Sequence, residues 1–136
     1  MKQINMEEKI IYKEESYKII GICMKVHKIL GKGFKEIVYK DAMELEFIKE
    51  EIPYEREKPF DVHYEEHILK HKFNADFYVF DKIILEVKAK PFINADNFRQ
   101  TLNYLKVSQK IQLGIIINFG TDKLEFKRIV LSGTKD

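Results

Sequence analysis

Apolar side chains recur at Ile19, Ile22, Cys23, Val26 and Ile29 or Leu30, the spacing of a helix with one buried stripe, over about residues 16–30. Gly31-Lys32-Gly33 ends that stripe. A second helical pattern follows over about 34–50, with Ile37, Val38, Ala42, Leu45 and Ile48 expected inward and Pro53 closing it. Residues 54–64 read as extended, and Pro59 among them marks an edge strand or a bulge. After a turn near Glu65-Glu66-His67, one strand is expected to run through Asp76 to Phe80 and the next over 83–90. Pro91 ends the latter, and Asn94 is placed to cap a helix over about 95–107. There Phe98, Leu102 and Leu105 are expected to face the core, leaving Asn97, Gln100, Thr101 and Tyr104 on the other side. Residues 111–118 are apolar on both parities apart from Gln112 and Gly114, as in a strand covered on both faces, and 123–131 alternate. The order of elements is that of an α/β protein.

Composition narrows the class. A chain of 136 residues, 45% hydrophobic and 34% charged, has the size and make-up of one globular domain, with about 1–12 and 132–136 expected to fray. The longest apolar run, Leu113 to Ile117, is too short to span a bilayer, and Met1-Lys2-Gln3-Ile4-Asn5-Met6 has no signal-peptide core, so a cytoplasmic protein away from the membrane is expected. A single cysteine, Cys23, excludes an internal disulfide and a cysteine-rich zinc site. The net charge of +2 gives no global field for a polyanion, so binding of nucleic acid has to come from local clusters such as Lys88, Lys90, Arg99, Lys106 and Lys110.

The chemistry concentrates in Asn74-Ala75-Asp76 and Leu85-Glu86-Val87-Lys88, on two successive strands. Strand side chains alternate, so Glu86 and Lys88 share a face while Val87 points away. Asp76 and Glu86 lie among Phe77, Tyr78, Val79, Ile83, Ile84 and Leu85, where an ionised carboxylate is costly unless something compensates it. Two carboxylates and a lysine offer oxygen ligands for a hard divalent cation, with an ammonium beside it. An isolated Glu-x-Lys is an ordinary solvent-facing pair; the order of several motifs along the chain is what weighs against that here.

The segment from Asp76 to Lys88 resembles the site of the PD-(D/E)xK nuclease superfamily. Gly33-Phe34-Lys35-Glu36-Ile37-Val38-Tyr39 is similar to the GxxExxY motif of one prokaryotic family within it, and Gln100-Thr101-Leu102-Asn103-Tyr104 to the QxxxY helix of another branch. Ala75 stands where the superfamily name has proline, a position that supplies no ligand. The resemblance covers about 17–130 and implies a restriction-endonuclease-like core, a mixed central β-sheet flanked by helices. It implies an Mg²⁺- or Mn²⁺-dependent phosphodiesterase acting on nucleic acid, DNA first, alone, as a homodimer or in a larger nuclease and helicase complex. Asp76, Glu86 and the carbonyl of Val87 are then the metal ligands and Lys88 the group that orients or activates water. Glu36 becomes an outer or second-metal carboxylate, and Gln100 a positioner of Lys88 or of the phosphate. Tyr39, Tyr104, Lys90, Lys106 and Lys110 would meet the substrate. The alternative is a non-catalytic nucleic-acid-binding or scaffold subunit that keeps the fold.

Two further expectations come from spacing. A two-residue hairpin loop at Asp81-Lys82 would set Asp76 opposite Val87 and turn it away from Glu86, so a three-residue connection over Phe80-Asp81-Lys82, or a bulge, is required for the carboxylates to meet. His63, His67 and His71 recur every four residues but across a strand–turn–strand, where the spacing does not converge on a metal.

Overall fold

The structure, a computed structural model, describes residues 11–108 and 111–131. Helices α1 (Lys13–Leu30) and α2 (Glu36–Lys49) precede the strand β1 (Tyr54–Phe60), a small hairpin of β2 (His63–Tyr64) and β3 (His67–Ile68), and the strands β4 (Phe73–Val79) and β5 (Ile83–Lys88). Helix α3 (Ala95–Ser108), β6 (Leu113–Asn118) and β7 (Glu125–Val130) complete the order. Five strands form one mixed sheet in the order β1-β4-β5-β6-β7. Only β5 and β6 run parallel, with α3 as the crossover between them. Pro59 lies in β1, an edge strand, where a missing N–H is tolerated. Every residue of β6 is buried, as its two-sided apolar pattern requires. No helix among the described residues is long and apolar enough to cross a membrane.

The sheet separates two cores. On one face Ile19, Ile22, Cys23 and Val26 of α1 and Tyr39, Met43 and Phe47 of α2 meet Phe77, Val79, Ile83, Leu85, Val87, Leu113, Ile115 and Ile117. On the other, Leu105 of α3 meets Phe73, Ala75, Ile84, Ile116 and Ile129.

Helix α2 is rotated from the expected facing, and α3 departs from it in part. Helix α2 buries Tyr39, Lys40, Met43 and Phe47, whereas Ile37, Leu45 and Ile48 are 51%, 63% and 57% exposed. Two stripes of this helix satisfy helical periodicity, and the bulkier one wins because it fills more volume over the sheet: Tyr39 stacks on Phe119 at 4.5 Å, and Phe47 meets Phe77 edge-on at 5.3 Å. Helix α3 turns Leu102 and Leu105 inward as expected but also buries Thr101, while Phe98 stays exposed. Gly114 lies under this line: a Cβ there would sit 3.2 Å from Leu105 Cδ1, tighter than usual contact, and 3.6 Å from Thr101 Cγ2, so its missing side chain eases the approach of α3 to β6. Asn94 caps α3 as expected, accepting from the Asn97 amide at 2.8 Å.

The alternation along β1 and β4 reverses partway. Phe77 and Val79 join the α1–α2 core, yet Phe73 and Ala75, of the same parity, join the α3 core. Across the ladder, Tyr54 packs with the first core and Phe60 with the second. The reversal falls at Asp76 and at its register neighbour Glu57, the one position of β1 left out of the pairing between Tyr54↔Val79 and Phe60↔Phe73. Glu57 has φ 57°, a left-handed conformation rare within a strand.

Candidate active site

The connection between β4 and β5 is three residues long. Phe80 and Asp81 adopt φ 59° and 56°, and the Lys82 amide closes the turn on the Val79 carbonyl at 3.1 Å. Two successive left-handed residues form the type of turn whose twist suits a hairpin, here without glycine. The register is Val79↔Ile83, Tyr78↔Ile84 and Phe77↔Leu85, so the next step sets Asp76 opposite Glu86. The ladder stops there. The Val87 N–H, with no strand partner from β4, instead donates to Asp76 Oδ2 at 2.7 Å. In an extended strand a residue's N–H and C=O share one side, so the Val87 carbonyl lies on the Asp76 side of β5.

Glu86 is the anomalous group. Its Oε2 is buried and has no hydrogen-bond partner among the described residues. Burial first, and the charge of Asp76 second, push its carboxyl up from 4.5 to about 8, against the opposing pull of Lys88, the Asp76 backbone and Lys40. An orphaned buried carboxylate oxygen is expensive, and a second carboxylate beside it makes it more so. A hard cation would relieve both costs, so the donor set of Asp76, Glu86 and the Val87 carbonyl fits a divalent metal. Among the described residues no three histidine, cysteine or acidic side chains converge as a metal cluster, so carboxylates would supply two ligands and no more. The same holds for the three spaced histidines.

Sequence reasoning missed Lys40. Its ammonium donates to Asp76 Oδ1 at 2.9 Å and also to Glu57 Oε2, and only 8% of the residue is exposed. Burial draws its pKa down, but the hydrogen bonds to Glu57 and Asp76 outweigh that and hold it above the ordinary lysine value, so it is charged. The signal was present: a lysine directly beside Tyr39, on a stripe continued by Met43 and Phe47, legible only once that stripe is taken as the buried one.

The remaining expected site residues are distributed differently. Lys88 is half-buried and close enough to act on Glu86, with no hydrogen bond or ion pair of its own among the described residues. Glu36 opens α2 one turn before Lys40, on the same side of the helix, but joins no acidic cluster. Tyr39 is not a substrate-facing tip: it is fully buried, donates to the Gly31 carbonyl at 2.6 Å and accepts from the Phe34 amide at 3.2 Å, tying the loop before α2. Tyr104 is half-buried: its ring stacks on Phe73 at 4.3 Å against the second core, while the residue also borders the surface beside Gln100. Gln100 lines a surface depression with Asp96, Asn97, Arg99, Asn103 and Tyr104, and no hydrogen bond joins it to Lys88. Lys106 is exposed on the last turn of α3, and Lys110 lies outside the described residues.

The chain beyond Lys88 is held firmly. Asn118, fully buried, accepts from the Lys90 amide at 2.9 Å and donates to the Lys90 carbonyl at 2.9 Å, while the Phe119 amide donates to the Lys88 carbonyl at 2.8 Å. A Cβ on Gly120 would fall 2.2 Å from the Lys90 carbonyl oxygen, so only glycine allows this close approach. The clamp fixes the end of β5 that carries Glu86, Val87 and Lys88.

A family model of the PD-(D/E)XK nuclease superfamily matches residues 13–129, nearly all of the chain, and the protein belongs to that superfamily. No curated protein and no solved structure matches it. The five-stranded mixed sheet flanked by helices agrees with the restriction-endonuclease-like fold, and nuclease chemistry is the general function this membership gives.

Proposed function

We propose that the protein is a divalent-metal-dependent nuclease that hydrolyses phosphodiester bonds, with DNA as the first substrate to test. The observation that carries this reading is the buried Oε2 of Glu86, without a partner among the described residues and opposite Asp76 by the register of the two strands. Asp76, Glu86 and the Val87 carbonyl would hold Mg²⁺ or Mn²⁺. Such an ion supplies Lewis acidity toward a phosphate oxygen and a lowered pKa for water. Lys88, beside Glu86 and free of other partners among the described residues, orients the attacking water and offsets charge gathering on the phosphate. The clamp on the Lys90 backbone fixes the end of β5 from which the Lys88 side chain extends. In this reading Glu36 serves as an outer or second-metal carboxylate and Gln100 as a positioner of Lys88 or of the phosphate.

Calorimetric titration of Mg²⁺ and Mn²⁺, with cleavage assays on single-stranded, duplex and branched DNA, tests the proposal. Asp76→Asn and Glu86→Gln are expected to remove metal binding and cleavage. Lys88→Ala is expected to keep metal affinity and lose roughly two to four decades of rate, the usual size of a proton-transfer or positioning contribution. A lysine variant cleaving at the parental rate removes the assigned mechanism. The alternative reading, a subunit that acts only in a homodimer or larger assembly, draws on the uncovered Ile37, Leu45 and Ile48 of α2. Metal binding without cleavage of any substrate selects it.

A further inference from the structure

The site already contains a cation. Lys40 reaches it from α2, buried, with its ammonium shared between Asp76 Oδ1 and Glu57 Oε2. Asp76 Oδ2 is taken by the Val87 amide, so both oxygens of the carboxylate are engaged before any metal arrives. Glu57 holds the other side of Lys40 from a left-handed position directly opposite Asp76 in the register. A non-glycine residue in that conformation is strained, and it persists where its surroundings over-determine it. Half of the Glu57 side chain faces solvent, so its carboxylate can follow the ammonium if the ammonium moves.

We propose that Lys40 is a resident counter-ion of the metal site: its ammonium occupies part of the electrostatic place of the divalent cation on Asp76, and Glu57 is the alternative anchor to which it withdraws when the metal binds. Lys40 is thus a positioning residue that sets how tightly the ion is held, and Glu57 sets how readily Lys40 yields. The inference deepens the proposed function and rests on its metal site. It separates two effects that a merely structural lysine would merge. Without Lys40, Asp76 and Glu86 face an incoming cation with one positive charge fewer beside them, so the ion binds more tightly even as the free protein becomes less stable. Without Glu57, the ammonium has only Asp76 left as a partner and the ion binds more weakly.

The test is calorimetric titration of Mn²⁺ into the parental chain, Lys40→Met, Glu57→Gln and the double variant, each shown to be folded by circular dichroism. Lys40→Met is expected to tighten Mn²⁺ binding about tenfold, the effect of one nearby charge heavily screened. Glu57→Gln is expected to weaken binding severalfold, and to lose most of that effect once Lys40 is gone, because the two act through one ammonium. General damage to the fold loosens a metal site and does not tighten it, so the direction of the Lys40 effect is diagnostic. If Lys40→Met does not fold, Glu57→Gln, altering an exposed side chain, still decides: unchanged or tighter binding overturns the proposal. Weaker or unchanged binding in Lys40→Met, or strictly additive effects in the double variant, overturns it while leaving the metal site standing. A parental chain that binds no divalent ion overturns both readings.

Discussion

Glu86 carries the largest electrostatic penalty described for the site, and it gives the free protein a characteristic pH response. Its carboxyl titrates near 8 in the folded chain and near 4.5 when unfolded, because burial and Asp76 disfavour the charged form. The folded state therefore holds this proton more tightly. The contribution to stability is fully present below about pH 4.5 and is lost as pH rises toward about 8. At full extent the loss is of the order of a few kcal/mol, at roughly 1.4 kcal/mol per unit. Glu86→Gln has no proton to lose. Without divalent ions, the variant is expected to melt well above the parental chain at pH 8, with the gap closing toward pH 5; thermal scans in chelated buffer check this. Added Mn²⁺ should reverse the order at pH 8 by stabilising the parental chain alone. A gap that stays constant with pH would mean that Glu86 is not the titrating group.

At the scale of elements, α2 shows which parts of the architecture periodicity could reveal. Phe47→Ala is expected to cost about 3–5 kcal/mol, as a buried aromatic truncation does. Leu45→Ala, two residues away, should stay within about 0.5 kcal/mol because its side chain is already in solvent. Urea denaturation of the two variants separates them, and equal costs would contradict the observed facing. Periodicity locates α2 but points to its other stripe, since Ile37, Leu45 and Ile48 repeat as helically as Tyr39, Met43 and Phe47. Side-chain volume against the sheet decides between them, and volume is not periodic. Lys40 and the burial of Tyr39 are hidden behind that one choice. Helix α3 is misfaced only at Thr101 and Phe98, since Leu102 and Leu105 pack inward as expected; the approach of Thr101 and Leu105 falls over Gly114 on another element, 9 residues after Leu105. By contrast, the three-residue connection and the meeting of Asp76 with Glu86 are legible in the sequence, because strand parity is a counting argument that leaves few solutions. The break in parity at Asp76 is not, for it coincides with a left-handed Glu57 on the neighbouring strand, which no spacing announces.

For the whole molecule, a net charge of +2 means that any affinity for a polyanion is local. Replacing Lys90 and Lys106 with glutamine is expected to flatten the salt dependence of DNA binding, by up to about 0.9 in slope for each phosphate no longer neutralised. The same replacement of Lys18 and Lys28, exposed on α1, should leave the slope unchanged; equal sensitivity would indicate adsorption without a docking surface. The reversal of β1 and β4 at Glu57 and Asp76 has a different kind of consequence. Each of these strands belongs to one core along half its length and to the other core along the remainder, like a stitch through two layers of cloth. Neither layer can open alone without drawing the shared strands out of its neighbour, so the two cores are expected to melt as one cooperative unit. Native-state hydrogen exchange would show this as a single opening free energy for amides of β4, β5 and β6. Because Asp76 sits at the stitch, a divalent ion bound there should slow exchange in both layers equally.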